Sequence, residues 1–315
     1  MIQLPSDIKL IFSGHETFAL RQLWLKKAYS QVELHQDASE QVCSKSVFSS
    51  GDAVERFGVG KNMVASIKHW ALATDIIRES DETNGFKLGE IGIFLFDKND
   101  GVDTFLEHES SFWLIHWYLA GKSIRSTTWY ILFNYLNSNN FSQDDVIDLI
   151  IELVSESENV RSRKTLENDI DTCLKSYVSD NETEDGIESL LSKLGLIKKI
   201  NKNLYQFNYG YHESLSDFLF CFAILDFWES LEKRYESSQS TLSFKNITYD
   251  YGSPGRVFKL TEYSINERLS RIEEISNGYL GWTDSSGLKQ ITKLKSEVAI
   301  GEVKMNLLRS AYASE

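Results

Sequence analysis

The tetrapeptide Ser13-Gly14-His15-Glu16 sets an imidazole beside a carboxylate, just ahead of a long apolar-patterned segment. Such a pair can bind a metal, or act as a general base with the group that orients it. His15, Glu16 and the nearby Arg21 are therefore the candidate catalytic residues. The zinc-protease pattern needs a second histidine four residues after the first, and Ala19 stands there. A capping or core role for His15 and Glu16 competes with catalysis and is favoured by the pattern alone. Asp97, Asp100 and Asp103 imitate a calcium loop, but with Gly101 as the central glycine Phe96 and Lys98 fall on ligand positions. Glu167 and Asp171 share one helix face and could hold Mg²⁺, although Asn168 and Asp169 look equally like an ordinary polar face. Glu302-Val303-Lys304 is an E-x-K string of the kind some metal-dependent nucleases carry, with Asp284 the one preceding aspartate to consider. No Ser–His–Asp constellation is legible.

The basic residues suggest contact with DNA. Residues 51–57 and 61–74 read as two helices joined at Gly58-Val59-Gly60, a helix–turn–helix. Val64, Ile67 and Ala71 form the apolar face of the second helix. Lys61, Asn62, Ala65, Lys68 and His69 are then expected towards solvent, and Arg56 precedes the turn. Lys61 and Asn62 open the second helix, where side chains of recognition helices reach base edges or phosphates. Val54 stands where a small residue often lets the two helices approach. A phosphate loop is rejected, because Glu55 and Asn62 occupy positions that motif reserves for Gly and for Ser or Thr. A second basic island, Arg161, Arg163 and Lys164, precedes a helix whose core face is Leu166, Ile170, Cys173, Leu174 and Tyr177. A phosphate there would meet free helix N–H groups and arginine forks; a solvated loop is the bland alternative. Lys198, Lys199 and Lys202 suggest a basic wing, and the acidic run Asp144–Glu158 is expected to face away from DNA. Arg256 completes the DNA-binding candidates.

The elements that must hold these residues are mostly helical. The 315-residue chain has only 2 prolines, 42% apolar and 12% aromatic residues, enough for two or three compact domains. The expected fold is mainly α with small β-hairpins (α+β), in several winged-helix or helix–turn–helix-like blocks. Helices are expected over 17–33, 103–120, Thr128–Asn137, Ser142–Ser155, Thr165–Ser179, Glu184–Leu194 and Leu215–Tyr235. Ser264 and Glu267 suggest a capping box for a helix through Ser276, and Arg256–Leu260 a short strand after the Pro254-Gly255 turn. Hairpins are expected at Ile76–Arg78 with Phe86–Leu88 around Asn84-Gly85, at Leu196–Asn208, and at Leu280–Thr292. Expected domains are residues 1–122, 123–210 and 211–315.

The net charge of −13 argues against a protein that coats nucleic acid by bulk attraction, and leaves room for local basic islands. Cys43, Cys173 and Cys221 are far apart with no CxxC, so no zinc knuckle or disulfide framework is expected. No signal peptide is read at the N-terminus, no apolar run is long enough to span a bilayer, and a cytoplasmic location is expected.

Five strings carry a resemblance over nearly the whole chain: FSGHETFALRQLWLKKAY (Phe12–Tyr29), FGVGKNMV (Phe57–Val64), WLIHW (Trp113–Trp117), TLENDIDTCLKSY (Thr165–Tyr177) and SPGRVFKL (Ser253–Leu260). Together they resemble the SspB-like family of bacterial Ssp-type DNA phosphorothioation systems. The resemblance implies a part in antiphage defence, in which sulfur replaces a non-bridging phosphate oxygen of DNA. It implies a DNA nicking endonuclease using Mg²⁺ or Mn²⁺, which opens one strand for sulfur incorporation. The implied partners are DNA, a cysteine desulfurase, an ATP-pyrophosphatase-type sulfur transferase and an ATPase; whether the chain forms a homodimer stays open. Where the family usually has Asp-Pro-Tyr-Leu-Glu, this chain reads Asp103-Thr104-Phe105-Leu106-Glu107, so that loop is expected to be built differently. Two other readings stay open: a non-catalytic adaptor that presents DNA to the sulfur transferase, and an ordinary transcription regulator.

Overall fold

The computed structural model describes residues 4–5, 8–37, 41–155, 161–178, 189–285, 287–295 and 297–313. Its elements are, in order, α1 (Gln22–His35), β1 (Cys43–Ser44), α2 (Ala53–Phe57), α3 (Lys61–Ala73), β2 (Ile77–Glu79), β3 (Gly85–Leu88), α4 (Glu90–Phe96) and α5 (Glu109–Gly121). There follow α6 (Thr127–Asn134), β4 (Asn140–Phe141), α7 (Gln143–Val154), α8 (Arg163–Tyr177), β5 (Ile197–Asn201), β6 (Leu204–Phe207) and α9 (Asp217–Tyr235). The chain ends with β7 (Thr241–Ser243), α10 (Phe244–Tyr249), α11 (Pro254–Val257), α12 (Glu262–Leu269), α13 (Ile272–Ile275), β8 (Leu280–Ser285), β9 (Leu288–Lys293) and α14 (Ile300–Ala313). The fold is α+β, with small antiparallel sheets beside a helical majority. No helix among the described residues is long and apolar enough to cross a membrane.

The chain divides into two compact units. The first comprises Met1–Glu107, Ser123–Trp129 and Ser138–Gln206; the second comprises His108–Lys122, Tyr130–Asn137 and Phe207–Glu315.

In the first unit α1 packs on α3. Trp24, Ala28 and Val32 of α1 and Val64, Ile67 and Ala71 of α3 recur at helical spacing and are buried. Gly58 closes α2 at φ 63°, a left-handed conformation glycine takes without penalty, and so permits the tight turn into α3. Strand β3 runs antiparallel between β1 and β2, pairing Cys43 with Phe86 and Ile77 with Leu88. Gly85 is the first residue of β3 rather than part of the hairpin turn. α7 begins with a capping box in which the Ser142 side chain accepts the Asp145 amide and Asp145 accepts that of Ser142.

In the second unit α9 is buried from Leu219 to Trp228 and packs with α5 and α14. α5 is buried from Ser110 to Ala120, which is why it shows no clear apolar stripe in sequence. The third sheet has the order β7-β9-β8.

Several expected boundaries move. The first helix starts at Gln22, because Glu16 (φ 49°) and Thr17 (φ 63°) form a left-handed turn that helix geometry cannot include. The helix expected over 103–120 starts at Glu109, where the His108 ring accepts the Ser110 amide at 3.1 Å. Arg256–Leu260 is not a strand: Pro254 occupies the first turn of α11, capped by Ser253. The helix expected through Ser276 is capped by Thr261 instead of Ser264 and breaks between α12 and α13. In the segment Glu184–Leu194, residues 184–188 lie outside the described residues and Leu190–Leu194 is a 3₁₀ turn. Ser179 and residues 156–158 of the acidic run also lie outside them.

Candidate functional site

The turn between α2 and α3 exposes Lys61 and Asn62 on the first turn of α3, with Lys68 half-buried further along. Among the described residues neither lysine has an acid partner. Val54 is 45% exposed, so its bulk does not hold the two helices apart. His69 departs from expectation, being only 5% exposed. The covered face of α3 is wider than Val64, Ile67 and Ala71, because the segment around Gly14–Phe18 packs over His69 and Trp70. The Trp70 indole donates to Phe18 O at 3.1 Å. A Cβ on Gly14 would fall 2.7 Å from the His69 ring, so only glycine allows this approach. Burial, reinforced by the nearby cations Arg125 and Lys68, pushes His69 down to about 3 and keeps it neutral. Arg56 is an internal tie: it donates to Val47 O (3.1 Å) and Ser50 Oγ (2.6 Å) and lies 3.1 Å from Asp52.

His15 is 3% exposed and turned inward. Its Nδ1 accepts the Thr17 amide at 3.1 Å, so the proton sits on Nε2, which donates to Asp169 Oδ1 at 2.5 Å. The Thr128 hydroxyl donates to the other Asp169 oxygen. The ring stacks on Trp70 at 5.9 Å and meets His69 and Trp129 edge-on. One carboxylate thus ties the pre-α1 turn, α6 and α8 behind α3. The three catalytic candidates do not converge on an open site. His15 faces the core, Glu16 is exposed on the left-handed turn, and the Arg21 guanidinium lies over the Trp24 ring at 5.3 Å. Asp169 and Thr128 were missed in sequence. The available signal was position: Asp169 falls three residues after Leu166 and four before Cys173, inside the apolar stripe of α8, where a carboxylate must find partners.

Two of the three cations of the second basic island have acid partners. Arg163 reaches Asp144 (2.5 Å), Asp148 (3.7 Å) and Glu167 (3.6 Å), and Lys164 reaches Glu167 (3.5 Å). The start of the acidic run therefore lies against the arginine. Arg161, Lys198, Lys199 and Lys202 are exposed. Glu167 and Asp171 do not pair around a common ligand position; Asp171 is bound to Lys175 at 2.7 Å.

In the second unit Arg256 is absorbed by the fold, donating to Tyr249 O and Asn134 O at 2.5 Å and lying over Tyr251. Lys259 is 1% exposed, donates to Phe133 O at 2.7 Å and sits 4.0 Å from the Phe207 ring centroid. Burial drives its ammonium well below the usual lysine value, with Arg256 adding to the effect. Nothing in the local pattern of SPGRVFKL marked that lysine as internal. The E-x-K string is helical: Glu302 is exposed, while Lys304 donates to Asp226 and Glu229, both at 2.8 Å. Asp284 pairs with Lys289 at 3.0 Å, so the nuclease-like constellation does not form.

A family model described as "Protein of unknown function (DUF4007)" matches residues 12–312. The chain belongs to the DUF4007 family. It is similar to a magnesium ion-bound SspB crystal structure at 25% identity and TM-score 0.83, over 99% of this chain and 91% of that one. A second SspB crystal structure matches at 26% identity and TM-score 0.82, over 97% of this chain and 88% of that one. No curated relative matches. The resemblance to the SspB-like family is borne out along the whole chain. Magnesium takes oxygen ligands, carboxylates above all. Among the described residues no three His, Cys, Asp or Glu side chains converge to hold a metal ion.

Proposed function

We propose that this protein is the DNA-binding component of a DNA phosphorothioation system, working with a cysteine desulfurase, an ATP-pyrophosphatase-type sulfur transferase and an ATPase. The carrying observation is the acid-free basic start of α3, with Lys61 and Asn62 exposed immediately after the turn and Lys68 further along. The order α1, β1, α2, α3, β2, β3 supports reading this segment as a winged helix, with α3 as its recognition helix. In a chain of net charge −13, local cations without counter-ions are what can neutralise phosphates. Lys61→Ala with Lys68→Ala is expected to weaken duplex binding and to flatten the log–log salt slope by roughly 0.9 per lost contact. Fluorescence anisotropy over a salt series reads this, and an unchanged slope would sink the assignment.

Metal-dependent nicking by this chain is the second reading, favoured by its likeness to the magnesium ion-bound SspB structure. The inward-facing His15 and dispersed Glu16 and Arg21 favour the adaptor instead. Supercoiled plasmid incubated with Mg²⁺ or Mn²⁺, with and without EDTA, separates the two. Open circle that EDTA abolishes supports nicking. Intact plasmid with either metal, alone and with the partner proteins, leaves the adaptor.

A further inference from the structure

Beside the α2–α3 turn lies an open groove of about 400 Å³ between α1 and the end of α2, lined by Lys26, Lys27, Arg56, Phe57 and Gly58, with Glu55 its one acidic lining residue. Lys26 donates to Phe96 O, at the end of α4, and Lys27 donates to Phe57 O, at the end of α2, each at 2.9 Å. Both are cations at helix C-termini, which is stabilising by itself. An ammonium has three donors, so two remain on Lys27, while the Lys26 ammonium also lies over the Tyr29 and Phe96 rings at 5.2 and 5.4 Å. Among the described residues neither lysine has a carboxylate within ion-pair distance. Burial pulls Lys26 below the ordinary lysine value, with Lys98 adding to the effect and Glu33 and Asp97 opposing it. Arg56 adds a third cation, partly compensated by Asp52. Lys61 follows Gly58 by three residues, on the far side of the turn.

We propose that this groove is a second phosphate station of the DNA-binding face, in which Lys26 and Lys27, beside Arg56, take a backbone phosphate of the duplex next to that met by Lys61. The proposal rests on the DNA-binding reading above and extends the contact surface from α3 onto α1. The specific ligand is a phosphodiester; a free phosphate ion shares the chemistry and is the other source to be distinguished.

The test uses the full chain and compares wild type, Lys26→Gln/Lys27→Gln and Lys26→Arg/Lys27→Arg. Duplex binding is read by anisotropy over a salt series, and folding of each variant by thermal unfolding. The glutamine pair is expected to flatten the salt slope by roughly 0.9, the value for one lost phosphate contact, and the arginine pair to keep the wild-type slope. A wild type that binds no duplex overturns both this assignment and the DNA reading. A wild type that binds, with a slope unchanged in the folded glutamine pair, overturns the groove alone. Inorganic phosphate at matched ionic strength is the remaining arm. If it raises the unfolding temperature of wild type but not of the glutamine pair, while the DNA slope is untouched, the groove is a free-anion site and the phosphodiester assignment falls.

Discussion

Asp169→Ala is expected to destabilise the first unit by roughly 3 kcal/mol and to weaken DNA binding with it. The carboxylate receives a hydrogen bond from His15 Nε2 at 2.5 Å and another from the Thr128 hydroxyl, in surroundings where both side chains of the His15 pair are 3% exposed. A hydrogen bond to a charged group contributes about 1.5–3 kcal/mol, and a buried donor left unsatisfied costs about 1–3 kcal/mol. Alanine loses the first and incurs the second at both donors, with some relief if water enters the space. The consequence for function runs through the His15 ring, which stacks on Trp70 of α3. Without Asp169 the ring keeps only its Nδ1 bond from the Thr17 amide and its aromatic contacts, and the left-handed Glu16–Thr17 turn that it caps is held less firmly. Strain of about 1–3 kcal/mol per residue is then free to relax. Urea denaturation followed by tryptophan emission gives the stability, since Trp70 and Trp129 both lie against His15. His15→Leu combined with Asp169→Leu should recover part of the loss, because an apolar pair leaves no buried donor or charge unpaired. A loss below about 1 kcal/mol in Asp169→Ala would mean that the pair is solvated and that His15 is available for chemistry.

The same cluster shows where sequence reasoning reached and where it stopped. The α2–turn–α3 segment was legible because its signals are local: glycines at the turn, apolar residues at helical spacing, and strands β2 and β3 close behind. The sheet pairing of β1 with β3 was not, since Cys43 and Phe86 are brought together only by the intervening helices. His69 was misplaced because the residues that cover it come from the Gly14–Phe18 segment, more than fifty positions away. Arg163 was misjudged for a similar reason: its carboxylates on α7 are close in space but stand across a segment whose course the sequence does not reveal. The apolar stripe of α8 did contain a readable anomaly at Asp169. A carboxylate on an otherwise buried face demands a partner, though the pattern cannot say that the partner is a histidine 154 positions earlier. Helix–turn–helix segments are thus read from their turns, while a polar cluster behind them is assembled by tertiary contacts and shows only as an exception to periodicity.

In the second unit, Asp226→Asn is expected to cost about 3–5 kcal/mol near neutral pH, and the deficit is expected to shrink in acid. Asp226 is 3% exposed and is held by Lys122 Nζ at 2.7 Å, Lys304 Nζ at 2.8 Å and the Trp117 indole at 2.8 Å. Removing the anion leaves two cations crowded in a poorly hydrated place, the situation in which a broken buried pair is most harmful. Burial alone would raise the Asp226 carboxyl, but the two ammonium charges and their hydrogen bonds together outweigh it and bring it to about 2, against 3.8 for a free aspartate. A folded-state value below the unfolded one means that the folded form holds the proton less readily. The stabilisation is therefore complete above about pH 4 and is lost as pH falls through 2, amounting to about 2 kcal/mol of the total. Denaturation at pH 7 and pH 2.5 reads it directly: wild type should approach the variant at the lower pH, and a gap of constant size would refute the charge-based account. Lys304→Met tests the same cluster from α14, and it also bears on the E-x-K string. A catalytic lysine would lose nicking while stability stayed intact, whereas a lysine that anchors α14 to α9 through Asp226 and Glu229 should lose stability first, with any activity following the folded fraction.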